Sequence, residues 1–257
     1  MRPLGTVRVG LVTAMVLFGA SASAAALEVL PATVRDPGPP IVFNPNAVTE
    51  VRVIGDSISW FFQPPYYGYA FASAGWRTEV HALYAANMIE HWQNQRNWAS
   101  FQSAAASART RAVVIALGTN DLGGITKMMP TATRKNELQK VKDHATWSAR
   151  YLSSAGKCVV FLNASTVTGN YDSGVAAEYN QHLSNLTAQM PSMFAVDYDL
   201  LVRTNANYRG GLFPIGEKII EVDGSKQQKD GVHPKGGLAR ATLANWLRDQ
   251  VRWYCRI

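Results

Sequence analysis

The chain has 257 residues, 47 % of them hydrophobic, with 25 Lys and Arg against 18 Asp and Glu. That length and apolar content allow one large domain, or one domain plus extensions, with a real core. The net charge of +7 is scattered, with no block of Lys and Arg interleaved with aromatics, so nucleic acid is not the expected partner.

Residues 1–26 read as a secretory signal peptide: Arg2 and Arg8, the apolar run GLVTAMVLFGA, then Ala22-Ser23-Ala24. The run is short for a membrane span, and no cysteine stands at the cleavage site, which argues against a lipid anchor. Cleavage removes two arginines and no acid, taking the net charge from +7 to +5. A secreted or envelope location is expected, with no transmembrane segment in the mature chain; an uncleaved anchor is the rival reading. Residues 27–49 hold five of the twelve prolines and read as an extended arm.

From residue 50 the pattern alternates. VRVIG (51–55) is a first strand. Residues 66–75 suggest a short helix stopped by Gly75, and RTEVHAL (77–83) a second strand. Residues 88–108 are helical in composition. RAVVIALG (111–118) has the continuous apolar run of a strand buried on both faces. Residues 135–156 predict a helix with a glycine stop, and KCVVFLN (157–163) a fourth strand. Residues 174–190 predict a helix ended by Pro191, MFAVDY (193–198) a fifth strand, and 236–253 a last helix. Residues 200–229 fit no regular pattern. Alternating strands and helices predict an α/β sandwich with a mainly parallel sheet, whose ligands sit beyond the carboxyl ends of the strands.

Chemistry-bearing motifs fall at those ends. Gly55-Asp56-Ser57 interrupts an apolar run that resumes at Ile58. A serine between a strand and a helix presents its hydroxyl, and its own N–H, where negative charge is favoured. The plainer alternative is an N-cap serine. A nucleophilic serine needs a base. His81, His91, His144 and His182 lie inside predicted strands or helices with no carboxylate suitably placed. His233 sits in Asp230-Gly231-Val232-His233-Pro234. There the Asp230 carboxylate can take the Nδ1–H and leave Nε2 for the serine proton. Gly118-Thr119-Asn120-Asp121 offers the Asn120 amide to a developing oxyanion, a contact worth about 3 kcal/mol of barrier. Turn roles are the alternatives for both.

In this order, Gly-Asp-Ser, Gly-Thr-Asn-Asp and Asp-x-x-His resemble the SGNH hydrolases, also called the GDSL esterase/lipase family, over about residues 50–253. The resemblance implies a three-layer α/β/α sandwich with a five-stranded, mainly parallel sheet. It implies Ser57 as nucleophile, His233 as base, Asp230 as its orienter, and Ser57 and Asn120 in the oxyanion hole, with no metal or cofactor. The family's second block has a glycine after strand two. Here the stretch is Leu83-Tyr84-Ala85-Ala86-Asn87, and Ala85 aligns best. Its N–H can serve, at the cost of strain if the position needs positive φ.

Ser154-Ala155-Gly156-Lys157 matches Ser-x-x-Lys but lacks its companion motifs, and residue 59 is serine where a Gly-x-Ser-x-Gly elbow needs glycine. Part of the cluster Trp60, Phe61, Phe62, Pro64, Pro65, Tyr66 and Tyr67 must be core; the rest, with Trp92 and Trp98, are candidates for lining a cleft. The expected substrate is an acyl ester on an envelope glycan or glycolipid. A lipase on free lipid esters, an acyltransferase with the same triad, and a catalytically silent glycan-binding relative are the rivals. Cys158 and Cys255 allow one disulfide in an exported chain, tying the C-terminal tail to an inner segment.

Overall fold

The computed structural model describes residues 41–56, 63–82, 87–88, 95–166, 172–204 and 236–257. Residues 1–40, with the expected leader and most of the proline-rich arm, and residues 205–229 of the stretch without a regular pattern lie outside them.

A six-stranded sheet organises the chain, in the order β1-β3-β2-β4-β5-β6. Its strands are β1 (Ile41–Phe43), β2 (Glu50–Gly55), β3 (Arg77–Ala82), β4 (Thr110–Ala116), β5 (Cys158–Leu162) and β6 (Met193–Val196). β2 to β6 pair in parallel, which is the predicted five-stranded sheet. β1 is the addition: it pairs antiparallel with β3, Val42 opposite Glu79. The end of the proline-rich arm is therefore an edge strand, where a preceding proline removes no needed ladder bond.

Side chains alternate between two cores, as a period of two requires. Val51 and Val53 of β2, Ala112 and Val114 of β4, and Val160 of β5 face one core. There they meet α1 (Gln63–Ala72) through Tyr67 and Phe71, and α7 (Gly236–Cys255) through Leu243, Leu247 and Val251. Ile54, Val113, Ile115, Val159 and Phe161 face the other. That face is covered by α2 (Gln95–Ala106), α4 (Thr131–Ser154) and α5 (Ser173–Gln189). α4 buries Leu138, Val141, Ala145, Ser148, Ala149 and Leu152, the three-and-four spacing of one helical face. Two short helices, α3 (Thr119–Gly123) and α6 (Tyr198–Thr204), follow β4 and β6. The stretch 200–229 is thus helical at its start, where α6 is too short to show a period in sequence.

The disulfide joins Cys158, at the start of β5, to Cys255, at the end of α7, with the Cα atoms 5.6 Å apart. Among the described residues, no helix is long and apolar enough to cross a membrane.

Candidate active site

The strand order turns at β2. The chain passes from β2 to β3 on one side, then crosses to β4 on the other. In a parallel sheet this reversal opens a crevice beyond the carboxyl ends of the two strands that flank it. Three strand ends are level there: Gly55 pairs with Ala82 of β3 and with Ala116 of β4. The Asp56 N–H donates to the Ala116 carbonyl at 3.2 Å, closing the ladder at this edge. Asp56 itself is fully buried. Ser57 is the next residue in sequence.

Of the predicted site residues, Asn120 is described. Ser57, Ala85, Asp230 and His233 lie outside the described residues. Asn120 stands half-buried in the first turn of α3, four residues past the end of β4. It is delivered by Gly118, the residue before the helix, at φ +116°. A Cβ at Gly118 would lie 3.1 Å from the Tyr179 hydroxyl, so the turn needs glycine for its backbone and for its space.

Asp121, beside it, is 8 % exposed and accepts the Met88 N–H with both carboxylate oxygens, at 3.0 and 2.8 Å. Met88 stands three residues after Ala85 and is fully buried. The block after β4 thus holds the far end of the block after β3. The sequence reading missed this bond, and its one signal was the single acid that ends Gly-Thr-Asn-Asp.

A further polar network fixes the same edge beyond β5 and β6. Asn163 donates from Nδ2 to Asp197 at 2.9 Å and accepts the Asp199 N–H at 2.8 Å. Asp199, 5 % exposed, accepts the Thr166 N–H at 2.6 Å and its hydroxyl at 2.9 Å. Asn180 of α5 brackets Ala164, accepting its N–H and donating to its carbonyl. These bonds stiffen the rim of the crevice.

Three of the other histidines have structural surroundings. His81 lies on β3, and burial, then the Arg52 charge, hold its imidazole below its ordinary range. His144 Nδ1 is 2.6 Å from the Lys140 carbonyl in its own helix. His182 Nε2 lies 2.9 Å from the Thr146 hydroxyl and 3.1 Å from the Lys142 carbonyl. His91 lies outside the described residues. Of the aromatics weighed for the cleft, Tyr67 is core, as part of its cluster was expected to be, and Trp98, partly buried, packs against the core. Tyr67 is fully buried, and Trp98 packs on Phe101, Trp147 and Tyr151 between α2 and α4. Trp60, Phe61, Phe62 and Trp92 lie outside the described residues.

No family model and no curated protein matches this sequence. Solved structures do match in fold. An acetyl xylan esterase superposes with a TM-score of 0.55 at 14 % identity, over 81 % of this chain and 100 % of that one. An acetylxylan esterase from Geobacillus stearothermophilus gives 0.53 at 13 % identity, over 82 % and 95 %. A candidate acylhydrolase from Bacteroides fragilis gives 0.51 at 16 % identity, over 81 % and 88 %. The chain shares its fold with these structures, an α/β sandwich on a mainly parallel sheet, as its alternation of strands and helices led one to expect.

Proposed function

We propose that the chain is an exported serine esterase that hydrolyses an acyl ester on a cell-envelope glycan or glycolipid. Residues 50–257 form its catalytic domain and residues 1–26 its leader. One observation carries the reading. The strand order reverses between β2 and β4, and the two stretches that continue from that edge are Asp56-Ser57 and Gly118-Thr119-Asn120. The shared fold supports an ester as the substrate, and acetyl esters on a polysaccharide are the first to try, given the acetylxylan esterases among the similar structures. The disulfide fits an oxidising compartment.

In this mechanism Ser57 Oγ attacks the ester carbonyl while His233 Nε2 takes its proton, and Asp230 steadies the imidazolium through Nδ1–H. The oxyanion accepts from the Ser57 N–H, the Ala85 N–H and the Asn120 side-chain amide. Collapse expels the alcohol, which takes the proton from His233. Water then gives a proton to the same nitrogen as it attacks the acyl-enzyme, and collapse releases the acid while His233 returns that proton to Ser57 Oγ.

The test is hydrolysis of p-nitrophenyl esters, from acetate to long acyl chains, by wild type and Ser57→Ala. Turnover of short esters that vanishes in the variant is expected. Preference for long chains would make the protein a lipase. Acyl transfer to an added sugar without hydrolysis would make it a transferase, and no acyl-enzyme with any ester would leave only glycan binding.

A further inference from the structure

At the amino ends of β4, β5 and β6, the pole opposite the crevice, the sheet and the last turn of α7 enclose a groove of about 970 Å³. That volume is at the upper end of the range for small-molecule sites, about 300–1,000 Å³. Seven residues of β4 separate the two poles, about 20 Å at the rise of an extended strand.

Arg111, Lys157 and Arg256 line the groove with Phe194, Trp253 and Tyr254, and the described residues that line it bring no Asp or Glu side chain. Neither Arg111 nor Arg256, both exposed, has a carboxylate within ion-pairing distance among the described residues. Lys157 is 7 % exposed, and its ammonium donates to the Ser107 carbonyl at 2.6 Å. Burial first, then the charges of Arg111 and Arg52, lower its pKa, so the cations act on one another here. Tyr254 is fixed by stacking on Phe194 at 4.9 Å, and the Cys158–Cys255 disulfide forms part of the wall. Trp253, next to that anchored pair, is 78 % exposed. An indole left bare at a helix end, beside guanidinium groups without a carboxylate partner among the described residues, marks a binding surface.

We propose that this groove is a second, non-catalytic site that holds an acidic polysaccharide, a uronate ring stacking on Trp253 with its carboxylate held by Arg111 and Arg256. The indole matches the flat apolar face of a pyranose, and the guanidinium fork matches a planar carboxylate. A single-stranded nucleic acid also uses aromatics and cations, but along a groove that tracks its backbone over many nucleotides. Three cations in one pocket suit a short anionic segment.

The experiment is affinity electrophoresis and tryptophan fluorescence of the whole protein with polygalacturonate, neutral xylan, polyphosphate and a single-stranded oligonucleotide. Binding is read without turnover, so the result does not depend on the esterase reading. Expected is salt-sensitive binding of polygalacturonate and none of neutral xylan. Trp253→Ala and Arg111→Ala with Arg256→Ala should each weaken it at least about tenfold. Arg150→Ala, on the exposed face of α4, should leave it unchanged, with melting curves showing that every variant folds. Equal affinity for polyphosphate or the oligonucleotide would identify a general anion surface and overturn the proposal. So would unchanged binding in the Trp253 or arginine variants, or no binding of polygalacturonate at all.

Discussion

Asp121 holds the Met88 N–H with both oxygens of a carboxylate that is itself 8 % exposed. The bond spans 33 residues and links the block carrying Asn120 to the chain that follows Ala85. On the proposed mechanism, this one side chain links the stretch carrying one oxyanion donor, Asn120, to the residue three places after the other, Ala85. Asp121→Ala leaves a buried N–H without its acceptor, which costs about 1–3 kcal/mol of stability. It should also lower kcat on a short ester more than it raises KM, because only the transition state needs the aligned donors. Asp121→Asn keeps an accepting oxygen and should be milder in both. Urea unfolding and steady-state kinetics on the same preparations check this; an alanine variant of full kcat would detach the bond from catalysis.

Gly118 sets the position of Asn120 through backbone shape alone. At φ +116° a side chain is strained, and its Cβ would crowd the Tyr179 hydroxyl at 3.1 Å. Gly118→Ala should cost about 1–3 kcal/mol. Its activity should fall further than that of a variant of equal stability loss placed elsewhere, such as Leu186→Ala in α5. Thermal melts and p-nitrophenyl acetate turnover compare the two.

Much of this architecture is legible in the sequence, and the exceptions have physical causes. β4 was clear because Ala112 to Leu117 are buried on both faces and so apolar at every position. β1 was hidden because three residues after Pro40 carry no periodicity, and an edge strand does not demand any. Trp98 was considered for the cleft because a sequence does not say which way an aromatic faces; contacts with Trp147 and Tyr151, some fifty residues on, decided it. The Asp121–Met88 bond left no trace beyond the acid in Gly-Thr-Asn-Asp, since spacing along a chain cannot reveal a partner 33 residues away. Conversely, Arg52, an interruption in the apolar run of β2, has a full account. It is 7 % exposed, donates to Glu50 at 2.6 Å and to Ser103 at 2.6 Å, and pairs with Glu79 at 3.0 Å. The motif residues alone indicated the edge of the sheet at which to look, and the reversal of strand order at β2 gives that edge its physical reason.

The Cys158–Cys255 bond closes a loop of 97 residues, from the start of β5 to the end of α7. On the chain-entropy account a loop of that size contributes about 4–5 kcal/mol by restricting the unfolded chain. Reduction, or Cys158→Ser with Cys255→Ser, should therefore lower the melting temperature markedly. Ester turnover well below the new Tm should change little, because the bond lies at the pole away from Asn120. Calorimetry with and without reductant, beside activity at low temperature, reads both effects. A variant that melts as the wild type does would remove the bond from the stability of the fold.

His81 makes stability depend on pH. Its folded pKa lies below the ordinary 6.5, because burial disfavours the charged ring and the Arg52 charge adds to that. The unfolded chain therefore binds a proton near pH 6 that the folded chain resists. Stability is fully present above the unfolded pKa and falls as pH drops below about 6.5, flattening once pH is below the folded pKa. His182 on α5 is lowered too, chiefly by burial, and contributes with the same sign. Urea midpoints measured between pH 8 and pH 5 should fall towards the acid end. His81→Gln should flatten part of that slope, and the double variant with His182→Gln should flatten it further. If the wild-type and His81→Gln midpoints run parallel across the whole range, the imidazole titrates alike in both states, and its burial carries no such penalty.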